Sequence, residues 1–317
     1  MTLGQKETDR AARGRESGRM LELSLKKACR LDVIACKPGN VSLNAAGHGM
    51  TAADFLLSAR ACVPHLVRTD ISVGEIIYTS VAATRAAVGC NTNLGIILLL
   101  APLARTVNIL MSRGHGDASG RFRATLAEVL ESLTVDDTRW CFEAIRTARP
   151  AGLGQAAAND VFDPPAAALK EVMRGAVERD SIARQYANAY SDVWDVGLSS
   201  LRTGQVKWGS LNWAATYCYI RLLASFPDSH IVRKWGDVVA LDVQTRAGAM
   251  EKTLEACENP RGLAPRLGAF DRELKQRGLN PGTSADLTVA SLACLLLLQN
   301  LENPSGKLRT PDQDCAA

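Results

Sequence analysis

LGIILLLAPLA at 94–104 and LTVASLACLLLL at 287–298 are the most apolar runs of the chain, and what they are decides the fold. A helix that crosses a bilayer needs about 20 predominantly apolar residues, and both runs fall short. Each follows a polar, turn-forming segment, Asn91-Thr92-Asn93 before the first and Asn280-Pro281-Gly282-Thr283-Ser284 before the second, as helix starts do. Both therefore read as helices of a protein core, apolar all round because other elements surround them.

The rest of the chain agrees with a helical bundle. Of 317 residues, 47% are hydrophobic but only 5% aromatic, and alternating β-branched runs of strand length are hard to find. Periodicity and punctuation predict helices at 20–35, 52–67, 73–88, 94–111, 122–132, 137–147, 164–178, 181–202, 207–225, 230–247, 249–257, 268–277 and 285–300. The connections are short and no internal period recurs. The expected architecture is all-α: one compact helical domain over 20–302, a disordered tail over 1–19 where charges alternate, and a second over 303–317 where the chain turns polar.

Composition also narrows the partners. A net charge of +4, with Arg and Lys scattered instead of clustered, argues against nucleic acid and leaves room for an anionic small molecule. Nine cysteines without a CxxC pair read as buried free thiols of a reducing compartment. No secretory h-region opens the chain. A cytoplasmic protein with no membrane partner is expected, with a homodimer left open.

Four polar clusters stand out against the Ala- and Leu-rich background. In CKPGNVSLNAAGHGMTAADF at 36–55, Pro38 and Gly39 sit where a type II turn wants them and hold Lys37 at its rim. Glycines flank His48, and Thr51 with Asp54 has the spacing of a capping box, which on its own accounts for Asp54. A connector needs neither the lysine nor the histidine. Asn91, Thr92 and Asn93 exceed what one cap requires, and the dipole end of the helix behind them suits an anion. In DSHIVRKWG, Asp228 or Ser229 caps a helix on which His230, Arg233, Lys234 and Asp237 share a face; such a stripe is either solvated or a polyphosphate clamp. In NPGTSADL, Thr283 or Ser284 caps and Asp286 follows in the first turn. If these helix starts converge, they build a cavity lined by Asp54, Asn91, Asn93, Asp228 and Asp286, suited to Mg²⁺ and phosphates. P-loop, Rossmann, HExxH and GxSxG signatures are absent.

KPGNVS, GHGMTAADF, NTNLG, DSHIVRKWG and NPGTSADL, in this order on a helical chain of this length, resemble the triphosphoribosyl-dephospho-CoA synthase family. Two segments depart from its pattern. Asn40 and Ser42 stand where the family turn reads Lys-Pro-Gly-Leu-Val-Asp, and Asn93 and Leu94 where many members have Asn-Thr-His-Lys-Gly. The resemblance implies a transferase that displaces adenine from ATP with the 2′-hydroxyl of 3′-dephospho-CoA, with Mg²⁺ accompanying the ATP. It implies phosphate or substrate contacts from Lys37, Gly39, Arg233, Lys234 and Ser284, and positioning by Asn91, Thr92 and Asn93. Asp228 and Asp286 become candidate Mg²⁺ or oxocarbenium-facing carboxylates, and Asp54 or His48 the candidate base. Two other readings compete: a related nucleotide- or phosphoribosyl-using enzyme of one-carbon coenzyme biosynthesis, of methanopterin or methanofuran type, and a non-catalytic helical binding protein.

Overall fold

A computed structural model describes residues 3–113, 117–155 and 158–303. Among these residues are fourteen α-helices and no strand, so the all-α expectation holds. The expected C-terminal tail beyond 303, and parts of the connections read at 113–120 and 149–160, lie outside the described residues. Helix α1 spans Leu3–Ile34. It therefore takes in most of the segment expected as an N-terminal tail, whose Ala, Gln, Glu, Lys and Arg are good helix formers.

The two apolar runs form α4 (Leu94–Arg113) and α14 (Gly282–Glu302). By length and composition both could cross a membrane, but 67% and 78% of their apolar windows are buried inside the protein. Helix α14 is the axis: α1, α4, α5 (Ala118–Glu131) and α10 (Leu211–Ser225) all pack on it. A smaller apolar cluster joins α10 to α12 (Asp237–Glu255) and α13 (Ala264–Gln276), and reaches Ala285 at the start of α14. The first turn of α14 thus lies where the two cores meet.

Pro102 sits inside α4 and has no amide hydrogen to give Leu98 four residues back. The Tyr186 hydroxyl fills that gap, donating to Leu98 O at 2.7 Å, and Tyr190 donates to Leu99 O at 2.9 Å. Both rings are fully buried, and burial holds both hydroxyls well above their usual pKa, so they remain donors. Removing only the hydroxyl in Tyr186→Phe should cost about 1–3 kcal/mol, since a buried carbonyl loses its partner. A urea unfolding midpoint lowered without change in slope would register that loss.

The same contact explains why the single helix expected over 181–202 is broken. Helix α8 (Ser181–Ala187) ends before Ala189 and Tyr190, which take left-handed φ values of +51° and +64° and aim the Tyr190 ring at α4. A π-helical turn at Val193–Leu198 follows, then α9 (Ser199–Trp208). The helix expected over 230–247 is also two, α11 (Ser229–Trp235) and α12, separated by Gly236 at φ +84°.

Candidate active site

The glycine-rich stretch before α2 (Ala52–Leu66) forms three turns, at 37–40, 42–45 and 47–50, against α13. The amide of Asn40 donates to Lys37 O at 2.9 Å and Gly39 has φ +85°, as a type II turn requires. A Cβ on Gly39 would lie 2.8 Å from Pro281 Cδ and 3.0 Å from Leu279 O, so only glycine lets this turn stack on the turn before α14. The Gly39 amide donates to Asp271 Oδ1 at 2.8 Å, and Asn40 Nδ2 donates to Asn280 Oδ1 at 2.9 Å. Lys275, paired with Asp271, reaches Ala45 O at 3.1 Å and fixes the second turn. At the tip of the third turn His48 adopts φ +57° and donates its Nε2–H to Gly39 O at 2.9 Å. That bond leaves Nδ1 as the lone pair of the neutral ring.

Below these turns lie two carboxyl groups. Asp32, near the end of α1, is 2% exposed and ion-paired with the fully buried Lys37, whose ammonium also donates to Asn40 Oδ1 at 2.8 Å. Burial raises the Asp32 pKa, and Lys37 opposes that rise. Asp286, in the first turn of α14, makes no hydrogen bond or ion pair among the described residues. Burial lifts its pKa well above the usual carboxylate range, the charges of Asp32 and Asp228 lift it further, and Lys37 lowers it. Two acids thus share one lysine, and Asp286 is the one left uncompensated.

Both carboxyls line a cavity of ≈ 490 Å³, which also draws on the starts of α4, α11 and α14. Asn91 Oδ1 accepts from the Leu94 amide at 3.2 Å, Thr92 Oγ1 is 2.6 Å from Ser58 Oγ, and Asn93 Nδ2 donates to Cys62 Sγ at 3.4 Å. The last two bonds anchor the segment on α2, while its helix start, through Gly95 and Ile96, opens on the cavity. Cations complete the lining: Arg85 from α3 (Val73–Val88), Arg149 from the end of α6 (Val135–Ala148), and Arg233 and Lys234 from α11. Asp180 Oδ2 stands 3.8 Å from Arg233. His230 rests on Gly282, and burial together with Arg233 and Lys234 lowers its pKa to about 4, so its ring is neutral at physiological pH.

Of the residues singled out in the sequence, His48, Asn91, Thr92, Asn93, Arg233, Lys234 and Asp286 line this cavity. Lys37 stands behind its wall holding Asp32, and Gly39 shapes the wall with its amide given to Asp271. Asp228, expected near a metal, is a double cap: Oδ1 accepts from the amides of His230 and Ile231, and Oδ2 from the amide and hydroxyl of Ser284. It joins the starts of α11 and α14, and Ser284 is engaged in the same bonds. Asp54, expected as a base, closes a capping box with Thr51 and does not line the cavity. Asp32, Arg85, Arg149, Asp180 and Asn280 line it without having been singled out as candidates. For Asp32 the only signal was its place five residues before Lys37.

The donor set can be weighed against Mg²⁺. No group of three His, Cys, Asp or Glu side chains able to hold a metal occurs among the described residues. Asp32 and Asp286 are hard oxygen donors, and Asp286 lacks a partner, which fits an ion bound by one or two carboxylates and otherwise by substrate phosphates and water.

Comparison with known proteins completes the picture. A search of curated protein sequences gives no match. A solved structure from Archaeoglobus fulgidus, described as a "putative triphosphoribosyl-dephospho-coA synthase", superposes with a TM-score of 0.57 at 23% identity, over 76% of this chain and 97% of that one. At that identity the likeness speaks for the fold. Residues 19–305 match the profile of the family described as CitG: ATP:dephospho-CoA triphosphoribosyl transferase. With nearly the whole described chain inside that match, this protein belongs to the CitG family of ATP:dephospho-CoA triphosphoribosyl transferases.

Proposed function

We propose that this cavity transfers the triphosphoribosyl group of ATP to the 2′-hydroxyl of 3′-dephospho-CoA and releases adenine. The observation that carries the reading is the polarity of one cavity: a floor with an uncompensated carboxyl, Asp286 beside Asp32, and cations around it, Arg85, Arg149, Arg233 and Lys234. Ribosyl transfer needs both, since positive charge grows on ribose C1′ as the base departs while a polyanionic triphosphate must be held.

The residues divide that work. Arg233 and Lys234 hold the triphosphate with the start of α4, whose dipole end favours anions. Mg²⁺, when bound, would be held by Asp286 and Asp32 and would offset phosphate charge. The C1′–N9 bond of ATP breaks as the bond from C1′ to the acceptor oxygen forms. His48, oriented by its bond to Gly39 O, accepts the hydroxyl proton at Nδ1, and that proton leaves with adenine. Burial and the neighbouring acids raise the Asp286 pKa, so this position favours positive charge beside it, and the charge that grows on C1′ is stabilised there more than the neutral ribose is. Soluble, cytoplasmic action on these small molecules, without membrane or nucleic acid, completes the reading; a homodimer is compatible with it.

Adenine release measured by chromatography tests it. Purified protein with ATP, Mg²⁺ and 3′-dephospho-CoA should release adenine and gain a product heavier by a triphosphoribosyl group, and omission of dephospho-CoA should stop both. Binding of ATP without any adenine would instead favour an enzyme of another coenzyme pathway. The binding-protein alternative predicts solvent-facing, scattered polar residues, whereas Lys37 and Asp228 are 1% and 2% exposed and packed behind the same cavity.

A further inference from the structure

A second cavity of ≈ 320 Å³ adjoins the first, and Leu98, Ile145, Leu153, Asp180, Ile182 and Arg233 line both. Its character is different. Phe142 from α6, Leu169, Val172 and Met173 from α7 (Leu169–Arg174), then Ala176, make its walls mostly apolar. Of its acids, Asp160 accepts the Phe162 amide at 3.0 Å and Asp180 caps α8 at the common boundary, so neither is left uncompensated as Asp286 is. Arg233 stands at that boundary and faces both chambers.

Such a sleeve suits a neutral, flexible chain of methyl and methylene groups broken by a few amides, whose near end carries negative charge. Among the apolar walls stand the side-chain amides of Gln155 and Asn159, which suit the amide groups of such a chain. We propose that the second chamber receives the pantetheine arm of the acceptor, so that the diphosphate joining the arm to its nucleoside lies at the common boundary, beside the Arg233 that also faces the donor triphosphate. This rests on the dephospho-CoA reading above. It explains how one site holds two adenine nucleotides without confusing them: the donor ends in a triphosphate and has nothing to place in the sleeve, while the acceptor is sorted by its arm.

Filling the sleeve tests the assignment. Val172 and Ala176 are half-buried, so bulk there can be tolerated, and circular dichroism would confirm folding of Val172→Trp and Ala176→Phe. Each should raise the KM for dephospho-CoA, and its Kd by calorimetry, about tenfold or more, the scale of discrimination a shaped apolar pocket gives. The KM for ATP should stay within about twofold. A rise in the KM for ATP would put the donor's base in the sleeve and overturn the proposal, as would unchanged dephospho-CoA binding in both variants. Failure of the transferase reading itself is distinct: the wild-type protein would then release no adenine, and the calorimetric comparison would still decide whether the arm binds here.

Discussion

Asp286→Asn is expected to lower adenine release by about 10²–10³-fold while making the protein more stable at neutral pH. The two effects have one cause. Burial and the charges of Asp32 and Asp228 raise the Asp286 pKa well above the ordinary 3.8 of an aspartate, so the folded protein holds this proton to a higher pH than the unfolded chain does. Wherever the folded state binds more protons than the unfolded state, stability falls as pH rises. The penalty is absent well below pH 3.8, grows through the interval up to the raised pKa, and is complete above it. Asparagine does not titrate, has nearly the same volume, and removes the penalty. Melting curves should therefore nearly coincide in acid and separate as pH rises, with the variant higher by about 2–4 °C for each kcal/mol recovered. A variant that melts lower at neutral pH would show that Asp286 is held by bonds instead of being left for a ligand. Retained turnover would remove the charge from the mechanism.

The fold was legible where burial leaves a mark on composition. The runs at 94–104 and 287–298 had to be covered, and the helices that cover them followed from periodicity and caps; Thr51 with Asp54 was read as a capping box and is one. What could not be read was structure set by distant contacts. Tyr190 adopts a left-handed backbone and gives its hydroxyl to Leu99 O on another helix, and nothing local at 181–202 announces that contact. The site was legible to the same degree. Glycine turns and crowded polar helix starts pointed to the segments that surround the cavity, but a polar residue before a buried helix can be a cap or a ligand, and its partners decide which. Asp228 became structural because two helix starts share it. Lys37 went to Asp32 because α1 ends beside the turn, so a residue expected to meet phosphate instead restrains the charge of the floor.

Gly95→Ala should cut the rate by about a hundredfold with every charged group still present, because small misplacements of reacting groups cost rate on that scale. Helix propensity alone predicts the reverse of harm, since alanine inside a helix is favoured over glycine by about 1 kcal/mol. The obstacle is Asp286: a Cβ on Gly95 would fall 2.0 Å from its Oδ2 and 2.7 Å from its Cγ, so the carboxyl has to move. This accounts for the part of NTNLG that still agrees with the family pattern. Asn93 and Leu94 depart from it, whereas Gly95 remains, and the glycine is the residue whose absence of a side chain makes room for the acid. The loss should fall on kcat more than on the KM for ATP, whose phosphates Arg233 and Lys234 still hold. The decisive comparison is the double variant. If Gly95 acts by seating the Asp286 carboxylate, then adding Gly95→Ala to Asp286→Asn should change the rate little, because the charge it misplaces has already gone. A further hundredfold fall in the double variant would assign Gly95 to the packing of α4 on α14, and the room beside Asp286 would be a consequence of that packing instead of its purpose.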